Sequence, residues 1–144
     1  YTTLFRSLLK RSVVDVEAFQ LPNQTNRFAL ILQPFAHGVP FTFGLEVFEP
    51  GHETPPHVHT EAHELFYVLS GEGTAFCDGK RMPISKGDAV VLPPKSRHGI
   101  NNPSNERLYC LELMFPNQLF AELVLSGQVV GHLTDEDKTV IFSP

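Results

Sequence analysis

The sequence predicts an all-β domain, a sandwich or a barrel of short strands. The first observation is the placement of the turn-forming residues. The 10 glycines and 12 prolines fall between short apolar stretches and not inside long ones, as in strands joined by turns. The second is the number of these stretches, since seven of them lie between residues 28 and 114. The third is the pair Asp78-Gly79 between two of them, which favours a tight hairpin turn.

Each of the seven stretches is rich in the aliphatic, β-branched and aromatic side chains that strands prefer. The predicted strands cover residues 28–33, 41–48, 64–69, 74–77, 80–84, 89–92 and 107–114. Short strands at this density are typical of a sandwich or a barrel.

Two segments outside the strands break the pattern. Residues 4–19 mix apolar and charged side chains. Residues 117–126 follow Pro116 and carry apolar side chains at helical spacing, which predicts a short C-terminal helix that ends at Gly127. Residues 134–137 can cap a further short turn.

The length fits a single small domain. A chain of 144 residues can bury a hydrophobic core without disulfide bonds or a structural metal ion. We therefore expect any bound metal to take part in a reaction and not to stabilise the fold. We predict one domain over residues 1–144, with an N-terminal arm at 1–27, a barrel core at about 41–115 and a helical tail at 116–144.

The charge and hydropathy of the chain disfavour nucleic acid and membrane partners. A net charge of -5 repels nucleic acid phosphates and anionic lipid, and no apolar run approaches the roughly 20 residues needed to span a bilayer. Cys77 and Cys110 lie far apart in predicted strands, and no secretory signal is visible. We therefore expect a reduced, cytoplasmic protein.

Three histidines and one glutamate are candidate metal ligands. His57 and His59 are one residue apart, so on an extended chain both imidazoles point the same way. Glu64 begins a predicted strand on the same face as Phe66, where a buried carboxylate is costly unless it is paired or bound to a metal. His98 lies on a third segment that antiparallel pairing can bring across the barrel. Such a ligand set suits Fe(II), Mn(II), Zn(II), Ni(II) or Co(II).

Ordinary roles for these side chains are the alternative. A histidine near a strand is more often a surface or core residue than a ligand, so His57 and His59 alone leave both interpretations open. His63 is a rival to Glu64 if the strand register slips by one, although alternation places it on the opposite face. His52 is either a surface residue or a group near the mouth of the site that supports the ligands or moves a proton.

The wider spacing of these residues carries a family resemblance. The first motif reads Gly51, five residues, His57, one residue, His59, four residues, Glu64, six residues and Gly71. The second reads Gly87, five residues, Pro93, four residues, His98, three residues and Asn102. The two motifs, fifteen residues apart, resemble the signature motifs of the cupin superfamily, and the resemblance covers roughly residues 41–115.

The resemblance implies a small single-domain protein of the cupin 2-like kind, with a double-stranded β-helix (a jelly-roll barrel) of six or seven strands. It implies that His57, His59, Glu64 and His98 bind one divalent transition metal, with Fe(II) or Mn(II) favoured and Zn(II), Ni(II) or Co(II) possible. It also suggests a homodimer, for which the apolar side chains of residues 4–19 are a candidate arm.

One position departs from the family pattern. The second motif usually has glycine two residues after its proline, and this chain has Lys95 after Pro93. A lysine with positive φ costs about 1 kcal/mol, so we expect this turn to differ locally.

Four protein ligands would leave room on a six-coordinate ion for a substrate, alone or together with O2. A divalent site of this composition has a net charge of about +1 and attracts a small molecule with an anionic oxygen donor. Phe43 and Phe66 are candidate walls of the substrate pocket, although most phenylalanines simply fill the core. No catalytic residue is assigned.

The function that we expect first is a dioxygenase-type oxidoreductase with substrate and O2 on the metal. The alternatives are a non-redox isomerase, lyase or decarboxylase, and a protein that binds a small ligand without turning it over.

Overall fold

The computed structural model describes residues 8–144. The strands are β1 Glu17–Gln20, β2 Arg27–Leu32, β3 Thr42–Phe48, β4 His57–Val58, β5 His63–Ser70, β6 Glu72–Cys77, β7 Lys80–Ser85, β8 Ala89–Leu92, β9 Arg97–Asn101, β10 Leu108–Phe115 and β11 Gln128–His132. The helices are α1 Pro34–His37, α2 Phe120–Leu125 and α3 Asp135–Phe142. None of the helices in this range is long and apolar enough to cross a bilayer.

The strands form two antiparallel sheets that face each other. The larger sheet has the order β11-β1-β2-β3-β10-β5-β8, and the smaller has the order β4-β9-β6-β7. The predicted fold class is confirmed: the chain is all-β, a jelly roll with a short helical segment at its C-terminal side.

All seven predicted strands are present, with bounds that differ by at most a few residues, and four further strands were not predicted. Of these, β4 is only two residues long and β9 is polar, while β1 and β11 pair with each other at the edge of the larger sheet. The sheet therefore includes residues outside the predicted barrel core of 41–115. It also takes up residues 17–20 of the predicted N-terminal arm, whose residues 1–7 lie outside the described part of the chain.

Three clusters of buried apolar side chains hold the fold together in the described part of the chain. One of them includes residues of helix α2, and the other two form an inner and an outer layer because alternate residues of each strand point to opposite faces. The inner layer fills the space between the two sheets and contains Phe48, Phe66, Val68, Ala75, Ile84, Leu92, Ile100, Leu108 and Cys110. The outer layer lies on the far face of the larger sheet and contains Val16, Ala18, Ala29, Leu45, Val47, Tyr109 and Leu133. Both faces of β3 are consequently buried.

Helix α3 covers the outer layer and is held there by a buried carboxylate. Thr134 and Asp137 form a capping box at the helix start, so the predicted short turn is in fact an eight-residue helix. Asp137 accepts two hydrogen bonds from the guanidinium of Arg27, at 2.7 and 2.9 Å, and one from the Tyr109 hydroxyl at 2.9 Å.

Helix α2 closes one end of the barrel and begins later than predicted. Gln118 and Leu119 have positive φ, 47° and 64°, so the chain becomes helical only at Phe120. The Asn117 side-chain oxygen accepts the Ala121 N–H at 2.9 Å. A glycine follows the helix where predicted, and the Gly127 N–H donates to the Val124 carbonyl at 3.0 Å.

The turn at Lys95 keeps the left-handed geometry instead of avoiding it. Lys95 has a φ of 66°, and its N–H donates to the carbonyl of His59 at 2.6 Å. The local difference expected from the sequence is therefore absent, and an exposed lysine adopts the backbone conformation that glycine prefers.

We predict that Lys95→Gly raises the free energy of unfolding by about 0.5–1 kcal/mol, because glycine adopts positive φ without a Cβ clash. Urea denaturation measures the change. Lys95→Ala is the matched control and should show no such gain, since it keeps the Cβ. Equal stability of the glycine and alanine variants would contradict this account of the turn.

Candidate metal centre

Four side chains from three segments converge inside one end of the barrel. His57, His59, Glu64 and His98 each offer one possible ligand atom, and these atoms all lie within 4.8 Å of one another. Glu64 and His98 are buried, whereas His57 and His59 are half-buried toward the opening. The structure therefore brings together all four residues that the sequence singled out.

The three imidazoles are aimed at a single carboxylate oxygen. The Nε2 atoms of His57, His59 and His98 lie 3.9, 3.6 and 3.2 Å from Oε2 of Glu64. The ring centroids of the three histidines are 4.8 to 5.3 Å apart. One small cavity thus has four donor atoms on its walls.

Strand pairing places each ligand. His57 on β4 lies directly opposite His98 on β9 in antiparallel register, and Glu64 on β5 lies opposite Leu92 on β8. His59 follows β4, and its carbonyl is held by the N–H of Lys95. The two sequence motifs are therefore joined by backbone hydrogen bonds on both sides of the site.

Hydrogen bonds at the far side of two rings fix which nitrogen is free. Nδ1 of His57 donates to the carbonyl of Pro55 at 3.0 Å. Nδ1 of His98 lies 2.8 Å from the Ser96 hydroxyl, which itself donates to the Pro93 carbonyl at 2.6 Å and so accepts from the ring. In their neutral form both rings consequently present an unprotonated Nε2 to the centre, as in metal-binding histidines.

The atoms that face the centre lack hydrogen-bond partners. Nε2 of His59, Nε2 of His98 and Oε2 of Glu64 are buried and unpaired. A buried polar atom without a partner costs about 1–3 kcal/mol, and here three such atoms point at one position. The donor set of three imidazoles and a carboxylate suits a divalent metal ion, so the residues present fit the ion that the sequence predicts.

The charges of the ion-free site are set by burial and by mutual attraction. Burial raises the pKa of Glu64, but its interactions with the nearby side chains of His57, His59, His98 and Glu112 outweigh it and hold this pKa well below its usual value. Burial lowers the pKa of His57, yet the Glu64 carboxylate and the Pro55 carbonyl leave it raised overall. The carboxylate is therefore anionic and ready to bind a cation.

Neither of the other two histidines considered from the sequence joins the cluster. His63 is exposed, because alternation along β5 turns it away from Glu64. His52 is buried and 6% exposed, so it is not a surface residue. Its ring lies between the Thr25 and Thr54 hydroxyls, at 3.1 and 3.3 Å, and contacts the ring of Phe48.

A cavity of about 310 Å³ opens from the cluster into the barrel. Phe66 lines it, as the sequence suggested. Phe43 does not, and its assignment as a pocket wall was wrong. Alternation along β3 places Phe43 on the outer face with Leu45 and Val47, whereas Glu46 and Phe48 point inward. The apolar part of the lining also includes Leu21, Phe28, Pro55, Pro56, Val58, Ile100, Phe120 and Leu123.

The polar part of the lining includes three residues that the sequence analysis missed. Asn26, Glu46 and Glu112 line the cavity and are 1%, 4% and 2% exposed. A signal for two of them was present, because each glutamate interrupts an apolar stretch in the middle of a predicted strand. Charged residues are almost never fully buried without a partner.

The surroundings of these two glutamates disfavour their ionised form. Burial, and then repulsion from Glu64, raises the pKa of Glu46 well above its usual value. Burial and repulsion from Glu46 and Glu64 do the same for the pKa of Glu112. The pKa values of the three carboxyl groups are therefore shifted in opposite directions, which favours negative charge on Glu64, where the imidazoles converge.

Comparison with known proteins shows the family. Residues 44–114 match the family model described as a cupin domain, and this stretch holds both motifs and all four clustered residues. The chain carries a small cupin domain of the Cupin_2 kind. The resemblance stated from the motif spacing is thereby confirmed.

Individual cupins share part of this chain. An oxalate-binding protein of Thermotoga maritima is 34% identical over 45% of this chain and 54% of its own length. Gentisate 1,2-dioxygenase of a Ralstonia species is 29% identical over 49% of this chain and 20% of its own length. A solved structure of a predicted oxalate decarboxylase from T. maritima is 23% identical, with a TM-score of 0.66 over 74% of this chain and 97% of its own. The chain spans about half the length, or less, of these curated relatives.

We predict that Glu46→Gln stabilises the metal-free protein at neutral pH. The folded chain keeps Glu46 protonated to a higher pH than the unfolded chain, which ionises it above its ordinary pKa of 4.5. The stability that this proton contributes is complete below that pH and is lost as the pH rises toward the folded-state pKa. Glutamine keeps an acceptor for Asn26 and cannot ionise, so the gain at pH 7 should be of order 1 kcal/mol or more.

Urea unfolding at several pH values between 4 and 7 measures the difference in unfolding free energy between Glu46→Gln and wild type. This difference should become smaller toward pH 4. Glu72→Gln, at an exposed glutamate of β6, is the control and should change little. A Glu46→Gln variant less stable than wild type at pH 7 would mean that the carboxylate is ionised in the fold.

Proposed function

We propose that His57, His59, Glu64 and His98 hold one divalent transition metal, with Fe(II) or Mn(II) favoured over Zn(II), Ni(II) or Co(II), and that the protein is a dioxygenase-type oxidoreductase acting on a small organic anion. The observation that carries the proposal is the set of three buried, unpaired ligand atoms aimed at one point. An ion there would satisfy all of them at once.

When bound, a redox-active ion would supply the site for O2 and for the anionic oxygen of the substrate. Three neutral imidazoles and one carboxylate leave such a centre with a net charge of about +1. The chain itself contributes the attraction for an anionic oxygen donor. His57, the most exposed of the four ligands at 38% of its side chain, lies toward the opening.

The cavity next to the centre favours a small and partly apolar substrate. Its walls are mostly aromatic and aliphatic, and its volume of about 310 Å³ lies at the low end of the range for small-molecule sites. Apolar walls exclude water and orient the substrate with its anionic group toward the imidazoles. The dioxygenase activity of the Ralstonia relative, named as gentisate 1,2-dioxygenase, supports this reaction class.

A non-redox isomerase, lyase or decarboxylase is the second candidate, and the carboxyls of Glu46 and Glu112 favour it. These two buried acids lie in the same cavity and are groups that can give or take a proton. A third possibility, binding without turnover, is supported by the oxalate-binding relative.

The proposal also includes a homodimer in a reducing, cytoplasmic environment. Cys77 and Cys110 are free thiols, and Cys110 is fully buried, which agrees with a reducing compartment. Since β1 already pairs within the chain's own sheet, residues 17–20 are not free to act as an arm.

We predict substrate-dependent O2 uptake by the Fe(II)-loaded protein with at least one member of a panel of phenolic acids, diketones and thiols, measured with an oxygen electrode. The uptake should vanish in His57→Ala and persist in His63→Ala, whose side chain is exposed beside the site. Turnover with Zn(II) under anaerobic conditions would instead identify the second candidate. Thermal stabilisation by a ligand without product would identify the third, and no response of any kind would refute the proposal.

We predict that Ser96→Ala weakens metal affinity by roughly 10- to 100-fold, because Nδ1 of His98 loses the acceptor that orients the ring. Competition with a chromophoric chelator measures the affinity. Ser143→Ala, at an exposed serine near the C-terminus, is the control and should leave it unchanged. An unchanged affinity in Ser96→Ala would show that the hydroxyl does not hold His98 in place.

A further inference from the structure

A second polar cluster lies in the cavity beyond the four clustered ligands. Glu64 on β5, Glu112 on β10 and Glu46 on β3 sit on three neighbouring strands of the larger sheet, all facing inward. The register pairs Met114 with Glu64 and Cys110 with Glu46. Glu112 lies on β10 midway between Cys110 and Met114, so the three glutamates form a diagonal row across the strands with Glu112 in the middle.

Asn26 ends this row at the side away from the imidazoles. It precedes β2, and its side-chain NH2 donates to Oε1 of Glu46. Its carbonyl oxygen, Oδ1, is buried and has no hydrogen-bond partner, although the residue is only 1% exposed. Leaving a buried acceptor unpaired costs about 1–3 kcal/mol, so this position needs an explanation of its own.

Among the described residues, no hydrogen-bond donor lies within reach of this oxygen. The cavity that Asn26 lines has largely aromatic and aliphatic walls, with Phe28, Phe48 and Phe66 among them. Oε1 of Glu112 is a second buried polar atom on the same wall without a partner. An unpaired amide oxygen facing a mostly apolar cavity is suited to an occupant that brings a hydrogen-bond donor.

We infer that the cavity takes an organic acid that also carries a hydroxyl group, with the hydroxyl donating to Oδ1 of Asn26 while the acid group lies at the four clustered ligands. The acid end of this inference rests on the proposed metal centre. A hydroxyl fits better than an ammonium group, because moving an ammonium into a mostly apolar cavity costs far more. Asn26 is in this account a residue that determines specificity.

The test compares acids that differ only in the donor. The protein is loaded with Co(II), whose visible absorption reports a carboxylate entering the coordination shell without any need for turnover. The probes are 3-hydroxybenzoate, 3-fluorobenzoate and benzoate, with 4-hydroxybutyrate and butyrate as an aliphatic pair. Fluorine resembles the hydroxyl in size and cannot donate a hydrogen bond, so the first two acids isolate the donor.

We expect one hydroxylated acid to bind wild-type protein roughly tenfold more tightly than its matched acid, as one hydrogen bond to a buried acceptor allows. The preference should disappear in Asn26→Leu, which removes the acceptor at similar volume. It should remain in Gln24→Leu, a change at a half-buried polar residue of the same cavity wall. If Asn26→Leu does not fold, the comparison of 3-hydroxybenzoate with 3-fluorobenzoate on wild-type protein still tests whether the cavity prefers a hydrogen-bond donor.

The outcomes separate this inference from the proposed function. If all the acids perturb the Co(II) spectrum with equal affinity, the hydroxyl preference is refuted and the metal centre stands. A preference that persists in Asn26→Leu refutes the role of Asn26. If Co(II) does not bind, or no acid changes its spectrum, both the metal-centred function and the inference are overturned.

Discussion

The burial of one carboxylate among three imidazoles is the constraint on which the site depends. Glu64 is ionised although it is 4% exposed, and an ionised group in that position is tolerable only beside positive charge. A protonated imidazole can supply that charge in the absence of an ion, but Nε2 of His59, Nε2 of His98 and Oε2 of Glu64 have no hydrogen-bond partner in the observed geometry. A divalent cation satisfies the carboxylate and the imidazoles together.

The surrounding structure serves to hold these donors in place. Antiparallel pairing of β4 with β9 sets His57 opposite His98, Ser96 orients the ring of His98, and the strained backbone of Lys95 ties down the carbonyl of His59. Deeper in the barrel, Glu46 and Glu112 occupy positions that apolar residues would fill at lower cost. Departures of this kind from simple core packing are typical of functional sites.

The sequence predicts the strands and the four clustered residues well, because both depend on short-range patterns. Alternation and turn residues located seven of the eleven strands in the described part of the chain, and motif spacing located the cluster. Strands β4 and β9 were missed because a two-residue strand and a polar strand show little alternation, and β1 with β11 because their pairing links distant parts of the chain. These four strands form only through contacts between residues far apart in the sequence, so a short stretch of sequence does not predict them.

The error at Phe43 has a different cause. Alternation correctly groups Phe43 with Leu45 and Val47, but it does not say which face of a strand points into the cavity when both faces are buried. On β3 the inward face is the one with Glu46, and a glutamate in the middle of an apolar strand is the signal that would have identified it. The same reasoning would have identified Glu112 on β10.

Metal analysis of untagged protein by mass spectrometry tests the central claim most directly. Wild type, Glu64→Ala, His98→Ala and the control His63→Ala would be purified in parallel and analysed before and after reconstitution. The account predicts about one divalent transition metal ion per chain in wild type and in His63→Ala, with loss in both other variants. Wild-type protein that stays metal-free after reconstitution with Fe(II), Mn(II), Zn(II), Ni(II) or Co(II), or variants that keep their metal, would contradict it.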